Sequence, residues 1–441
     1  MKSTFDIIVK MRNNIVHPGA GSLTYEIRGI VKDAHILQSM GVKIIWENIG
    51  DPIKKGVKVP SWIKDIVSAL TQEDATYGYS PTEGVQDARE AIVAQRTFEG
   101  VELSKEDILF FNGLGDAISI VYSYLNPGSK VIGPNPAYPT HSSAESAHSD
   151  SPHVTYTLDP LKNWLPSIED LRNKVKYNPA ISAILIINPD NPTGMVYPRA
   201  VLEQIVSIAR EYDLFIISDE IYANLTYGSE KFVSIYELIG DDVPALIMRG
   251  LSKEIPWPGA RCGWIEFHNR SVDVNFDAYV TSLFNAKMLQ VCATTLPQKA
   301  LPLIYSDKRY PIHLKDQASQ YKRRADEAYK VLRGVSGIIA PKPEGAFYYS
   351  VVFEDGSLPP DGILDIENAE VKKFVEQTVK DFSPDKRFVY YLMASTGICV
   401  VPLSGFNSDL HGFRFTLLEP NDERFTQILG ILTNSIKKYL N

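Results

Sequence analysis

Cysteine is scarce in the 441-residue chain: Cys262, Cys292 and Cys399 stand far apart, with no C-x-x-C among them. That spacing excludes a disulfide framework and a thiolate zinc centre, leaves each thiol as a small core residue, and suits a reducing compartment. No metal site is expected. Nowhere do about 18 uncharged apolar residues run together, which excludes a transmembrane helix. The opening stretch Met1-Lys2-Ser3-Thr4-Phe5-Asp6-Ile7-Ile8-Val9-Lys10 lacks the apolar core of a signal peptide, so the protein is expected in the cytoplasm. Basic blocks are short, the longest being Lys322-Arg323-Arg324, and 45 basic against 53 acidic residues leave a net charge of −8. Neither nucleic acid nor an acidic membrane is therefore an expected partner. No G-x-x-x-x-G-K-[ST] occurs, which removes the phosphate loop of nucleotide hydrolases. Internal repeats and low-complexity segments are also missing.

What remains is the composition of a globular enzyme acting on small molecules. A chain of this length exceeds the roughly 250 to 300 residues at which single cores stop growing, so two domains are expected. From Ile108 to Glu266 short apolar runs alternate with helix-like ones: Ile108-Leu109-Phe110-Phe111, Val131-Ile132, Ala183 to Ile187, Leu214 to Ile217, Ala245 to Met248 and Gly263 to Glu266. Near-continuous apolar strands separated by helices predict an α/β domain with a mainly parallel sheet covered on both faces, and place the ligand outside the strands' carboxyl ends. After about residue 312 a charged helix (Tyr321 to Leu332), a strand Gly345 to Phe353, a polar stretch with Pro359-Pro360 and a last amphipathic helix predict a smaller α+β domain. We divide the chain at 1–52, an N-terminal segment belonging to the small domain, 53–312, the large domain, and 313–441.

Four stretches carry chemistry. Ser252-Lys253 follows the apolar run Ala245 to Met248 on a small-residue turn, and Arg261 comes eight positions after the lysine. An amine so placed can form an imine with an aldehyde while the guanidinium holds that aldehyde's phosphate, which suits pyridoxal 5'-phosphate. By itself the pattern is also what a solvated loop carries. Asn188-Pro189-Asp190-Asn191-Pro192-Thr193-Gly194 closes a buried strand with two Asn-Pro turns and fixes the Asn191 side chain at the strand's end. Ser218-Asp219-Glu220-Ile221-Tyr222 puts an acid at another strand end, where nucleotide hydrolases hold magnesium. Asn112-Gly113-Leu114-Gly115 follows the strand Ile108 to Phe111 and opens a helix, whose first amides make either a phosphate seat or an ordinary helix start.

Together Gly113-Leu114-Gly115, Asn191-Pro192-Thr193-Gly194, Asp219 with Tyr222, and Ser252-Lys253 with Arg261 resemble the fold-type I, class I/II aminotransferases. The resemblance runs from about Tyr25 to Arg414, and Tyr25-Glu26-Ile27-Arg28-Gly29 with Gly250-Leu251-Ser252-Lys253 looks most like the alanine and aspartate aminotransferase-like branch. Gly250 departs from the serine that many aspartate-type members carry three positions before the lysine, so one phosphate contact is in doubt.

The resemblance implies a seven-stranded, mainly parallel sheet in the large domain and a small domain built from both termini. It implies pyridoxal phosphate as cofactor and a ping-pong transfer of the amino group of an L-amino acid to a 2-oxo acid such as 2-oxoglutarate. Lys253 is then the imine-forming lysine and the base that moves the α-proton to the cofactor's C4' carbon. Asp219 keeps the pyridine nitrogen protonated, Asn191 and Tyr222 donate to the phenolic oxygen, and Tyr138 stacks on the ring. Gly113, Leu114, Gly115 and Arg261 bind the phosphate, joined by Tyr79 of a partner subunit, which makes the enzyme a homodimer with shared sites. Arg414 grips the substrate α-carboxylate, with Gly50, Asn191 and Arg28 beside it. The Asn135-Pro136 and Asn191-Pro192 bonds are expected to be cis. The same constellation serves C-S β-lyases and aminocyclopropane-carboxylate synthase-like lyases, which treat the common carbanion differently. A regulator that senses the cofactor would need a DNA-binding domain, for which no room is expected ahead of Tyr25. The donor side chain, the role of Arg28 and the insertion between about Glu354 and Lys386 are not readable from the residues.

Overall fold

The computed structural model describes residues 15–23 and 26–441, and the side chains of all of these except 26–28. Its strands in chain order are β1 Ile45–Trp46, β2 Ile108–Phe111, β3 Lys130–Asn135, β4 Thr155–Asp159, β5 Leu165–Pro166, β6 Ile181–Ile187, β7 Phe215–Asp219, β8 Ala245–Gly250, β9 Gly263–His268, β10 Ile338–Ile339, β11 Tyr348–Phe353, β12 Ile398–Cys399, β13 Val401–Pro402 and β14 Gly412–Thr416. The large sheet has the order β2-β9-β8-β7-β6-β3-β4-β5. The strands β8, β7, β6, β3 and β4 run parallel, β9 lies antiparallel between β2 and β8, and the two-residue β5 adds an eighth strand at the edge.

Residues such as Ala183 to Ile187 form a strand because every side chain has an apolar face to enter. Ile184 and Ile186 join one core with Leu202, Ile205 and Val206 of the helix Arg199–Glu211. Ala183, Leu185 and Ile187 point the other way, into a core with Ala117 and Val121 of the helix Leu114–Ser123. β3 is the strand at which sequence order reverses, with β4 on one side and β6 on the other. A crevice opens at the carboxyl ends of the strands at such a point.

A second sheet, β10-β11-β14-β13, is wholly antiparallel. β1 pairs in parallel with β12, so the residues just before Gly50 are tied to the C-terminal part of the chain. The charged helix starts earlier than the charge pattern indicated, at Tyr310, where Pro311 occupies the first turn, and it ends at Leu332. β11 starts later than the apolar run, because Ala346 at φ 53° turns the chain before Tyr348. The polar stretch after Glu354 contains the helix Ala369–Thr378, whose first amides are capped by the Asn368 side chain. No helix of the described residues is long and apolar enough to cross a membrane.

Candidate active site

The carboxyl ends of β3, β6, β7 and β8 meet β11, β14 and the Gly50 loop around a cavity of about 440 Å³. Each strand end delivers one chemical group. β7 ends in Asp219, which is buried and anchored: Oδ1 accepts the Ile221 amide at 3.1 Å, and Oδ2 lies 3.2 Å from His141 Nε2. A carboxylate only accepts, so Nε2–H donates to it, and the Tyr122 hydroxyl, 3.3 Å from Nδ1, completes the chain as donor. The carboxyl group is thereby held in one place on the cavity wall.

Lys253 follows β8 on a turn. Its Nζ donates to the Gly50 carbonyl at 2.8 Å and lies 5.6 Å from the Phe347 ring centroid, and among the described residues no carboxylate is in salt-bridge range. Burial pushes its pKa down to about 8; Asp51 and Asp219 oppose the shift, and Arg414 and Arg261 add to it. An amine partly withdrawn from water gives up its proton more readily, which is what a nucleophile or base requires.

Asn191 sits on the loop after β6. That loop is held by buried Asp190, whose Oδ2 accepts the Thr193 amide at 3.0 Å and whose carbonyl accepts the Gly194 amide at 3.0 Å. The cis bonds in this part of the fold are Asn135-Pro136, as expected, and Asn188-Pro189 rather than Asn191-Pro192. The reversal is needed where β6 ends, and there the Asn188 side chain accepts the Tyr197 amide at 3.0 Å; Asn191 instead lies in the next turn, with its side chain turned inward. Asn191 Oδ1 accepts from Arg414 Nη1 at 3.2 Å.

Arg414, on β14, is buried and held on three sides. Nη2 donates to the Asn48 carbonyl, and the guanidinium carbon lies 4.4 Å from the Tyr348 ring centroid and 5.0 Å from that of Phe406. Tyr222 places its hydroxyl 3.0 Å from that of Tyr348, and burial raises its pKa well above the ordinary phenol range.

Elsewhere along the cavity lining, Gly113 (φ 81°) caps the helix that begins at Leu114. A Cβ at Gly113 would lie 2.4 Å from Arg261 Nη2, so only glycine lets the arginine cross this helix start. Arg261, itself at φ 49°, donates from Nη2 to the Asn112 carbonyl at 3.1 Å and from Nη1 to the Pro258 carbonyl at 3.2 Å. First-turn amides, the helix dipole and a guanidinium converge on one spot, which is an anion seat.

Gly50, Leu114, Gly115, Tyr138, Asn191, Asp219, Tyr222, Lys253, Arg261 and Arg414 all line the cavity, with Gly113 directly behind Arg261. Tyr79 does not line it and is 86% exposed. Arg28 falls in the helix Glu26–Ser39, but its side chain lies outside what is described, as does Tyr25. Sequence reasoning missed Tyr348, His141, Asp51 and Lys54, and quoted Ser252 only as the neighbour of Lys253. The Gly50-Asp51-Pro52 turn could have drawn attention to Asp51 and Lys54; Tyr348 and His141 sit in an ordinary strand and an ordinary helix.

Residues 43–430 match the family model for aminotransferase class I and II. The chain is a class I and II aminotransferase. An uncharacterized aminotransferase of Methanocaldococcus jannaschii is 52% identical to this aminotransferase over 431 residues, which is 98% of this chain and 100% of that protein. The glutamate-pyruvate aminotransferase AlaA of Escherichia coli is 30% identical over 74% of this chain and 80% of its own. Among solved structures, an alanine aminotransferase from Pyrococcus furiosus superposes with a TM-score of 0.81 at 30% identity, covering 96% of this chain and 98% of that one. This aminotransferase is thus a transaminase enzyme with the large mainly parallel sheet and the small antiparallel sheet of its relatives.

Proposed function

We propose that this enzyme uses pyridoxal 5'-phosphate to move the amino group of a small L-amino acid, alanine or a close relative, to a 2-oxo acid such as 2-oxoglutarate. One observation carries the proposal: a lysine with a readily neutral amine faces Asp219 and Arg414 across one cavity that ends in an anion seat. The residues fit the cofactor, since Arg261 crosses the Gly113 helix start where any side chain would collide with it. The names of the alanine-type relatives favour the small donor.

Leu114, Gly115 and Arg261 would hold the phosphate, Asp219 the ring nitrogen, Asn191 and Tyr222 the phenolic oxygen, and Tyr138 the ring face. Bound there, pyridoxal phosphate supplies an electron sink that makes the substrate's α-hydrogen acidic. Asp219, held in place by the His141 and Ile221 donors, would hold a proton at the ring nitrogen. Lys253 Nζ would take the proton from the substrate's α-carbon and deliver it to the cofactor's C4' carbon, and would carry it in the reverse direction in the second half-cycle. Arg414 binds the α-carboxylate with both Nη atoms, beside Gly50 and Asn191, and so presents the α-hydrogen to Lys253. Arg28 is the remaining proposed carboxylate contact.

Because only the neutral amine attacks an aldehyde, the rate of cofactor uptake should rise with pH and level off above about 8, not near the 10.5 of an ordinary lysine. Stopped-flow absorbance after mixing cofactor-free enzyme with pyridoxal phosphate reads this directly. A rate still climbing steeply above pH 10 would contradict the lowered value.

The working unit we propose is a cytoplasmic homodimer, with domains divided at residues 52/53 and 312/313. Tyr77, Tyr79, Met288, Leu289 and Val291 expose a large apolar area on segments joined by Thr82 Oγ1 to the Val291 carbonyl and Thr295 Oγ1 to the Gly78 carbonyl. A patch of this kind is expected to meet a partner, which supports the proposal that Tyr79 reaches the other subunit's phosphate. Mixing Lys253→Ala with Tyr79→Phe subunits should recover activity, because both lesions fall in the same composite site and leave the other site unmutated. No gain over the separate variants, or a solution mass of one chain, would rule out sharing.

A panel of L-amino acids, each mixed with the cofactor-loaded enzyme and followed by cofactor absorbance, tests the donor class. Alanine should rank among the fastest donors. A panel in which only aromatic or only basic amino acids react would overturn the small-donor proposal.

A further inference from the structure

Tyr348 belongs to no role assigned so far, yet it touches both ends of the substrate subsite. In the antiparallel pair β11 and β14, Ser350 stands opposite Arg414 and Tyr348 opposite Thr416. Tyr348 and Arg414 are therefore diagonal neighbours on one face of the sheet, which brings the ring under the guanidinium at 4.4 Å. The Tyr348 hydroxyl lies 3.0 Å from that of Tyr222, and the two rings meet edge to face at 83°. Space has been cleared on two sides. A Cβ at Gly50 would lie 2.3 Å from the Tyr348 hydroxyl, and one at Gly194 would lie 2.5 Å from its carbonyl oxygen. The same strand is pinned to the Asn191 loop by the Ser350 hydroxyl, which donates to the Pro192 carbonyl at 2.8 Å.

Two hydroxyls at hydrogen-bond distance leave a choice of which one donates. If Tyr222 gives its proton to the cofactor's phenolic oxygen, its own oxygen is left to accept, and Tyr348 must be the donor. A donor behind a donor strengthens the forward hydrogen bond, because each bond polarises the next. The ring face meanwhile restricts the guanidinium to one plane, so its two Nη atoms are already aligned when a carboxylate arrives.

We propose that Tyr348 is a positioning residue for transamination: its hydroxyl orients and strengthens Tyr222 as a donor, and its ring aligns Arg414 for the substrate carboxylate. The proposal rests on the pyridoxal phosphate reading and separates into two measurable halves. In cofactor-loaded Tyr348→Phe the pH midpoint of the bound-cofactor absorbance should move upward by about half a unit, because the deprotonated phenolic oxygen loses support. Propionate, an unreactive carboxylate that displaces no covalent link, should bind that variant as it binds the wild type, since the ring remains. Tyr348→Leu should weaken propionate roughly tenfold, the scale of a buried cation–π contact.

The decisive control is a cycle with Tyr222→Phe: in that background, Tyr348→Phe should add no further shift to the absorbance midpoint. General loosening of the fold would move the midpoint in both backgrounds. An unshifted midpoint in Tyr348→Phe, or an equal further shift in the Tyr222→Phe background, would overturn the hydroxyl role. Unchanged propionate affinity in a folded Tyr348→Leu would overturn the ring role, and Tyr348→Met provides the same comparison if the leucine variant does not fold. Failure of the underlying reading is distinguishable, because the wild-type enzyme itself would then show no pH-dependent cofactor band.

Discussion

Lys253→Ala should lower turnover by roughly four powers of ten or more while leaving the fold intact, because one side chain would lose both the covalent attachment and the proton transfer. Among the described residues two lysines line the cavity, Lys253 and Lys54, and Lys54 is exposed. Lys253 is the one wrapped by Gly50, Tyr222 and Phe347, and burial pushes its pKa down to about 8. The proposed phosphate contacts at Leu114, Gly115 and Arg261 are other residues of the cavity lining, so the variant should still bind pyridoxal phosphate without the absorbance of the lysine-linked form. Steady-state rates, circular dichroism and an absorbance spectrum of the loaded variant check the three parts. Retention of the lysine-linked band would move the attachment to another residue, Lys54 being the first candidate.

Arg414→Lys should lower kcat/KM by about two to three powers of ten, or about 3 to 4 kcal/mol, with cofactor content unchanged. The guanidinium is held by Asn191 Oδ1 through one nitrogen, by the Asn48 carbonyl through another, and by Tyr348 and Phe406 through its faces. An ammonium can satisfy one of these contacts while pointing at a carboxylate, and it cannot present two parallel donors. The loss should appear in kcat/KM for every amino acid and 2-oxo acid, because the α-carboxylate is common to all of them. An unaltered kcat/KM would show that another group, such as Arg28, carries the carboxylate.

Most of the candidate site's lining was legible in the sequence because its groups are side chains at the ends of buried strands. Asp219 closes β7, the Asn191 loop follows β6, and the Lys253 turn follows β8; each apolar run gave the position and each polar residue after it the chemistry. Groups that act through the backbone left no such mark, as with the carbonyls of Gly50 and Asn48 that hold Lys253 and Arg414. Tyr348 was hidden by its company, since Gly345 to Phe353 reads as a plain apolar strand and only the register against β14 aims its ring at Arg414. β4 was not read at all: an exposed Thr157 between buried Tyr156 and Leu158 makes a short alternating strand near the sheet edge, without the continuous apolar run of its neighbours. The two Asn-Pro pairs are equivalent as dipeptides. Only the end of β6 at Ile187 distinguishes Asn188-Pro189, the cis bond, from Asn191-Pro192.

The lyases that resemble this constellation would share Lys253, Asp219 and Arg414, so residue identity alone does not separate them from a transaminase; the fate of the amino group does. The most direct measurement is therefore one half-cycle. Cofactor-loaded enzyme is mixed with L-alanine in the absence of any 2-oxo acid, and its products are counted. One pyruvate per active site, no free ammonia, loss of the lysine-linked absorbance and its return on adding 2-oxoglutarate are the predicted results. Release of ammonia in step with pyruvate, or an absorbance that alanine does not change, would contradict amino-group transfer from a small donor.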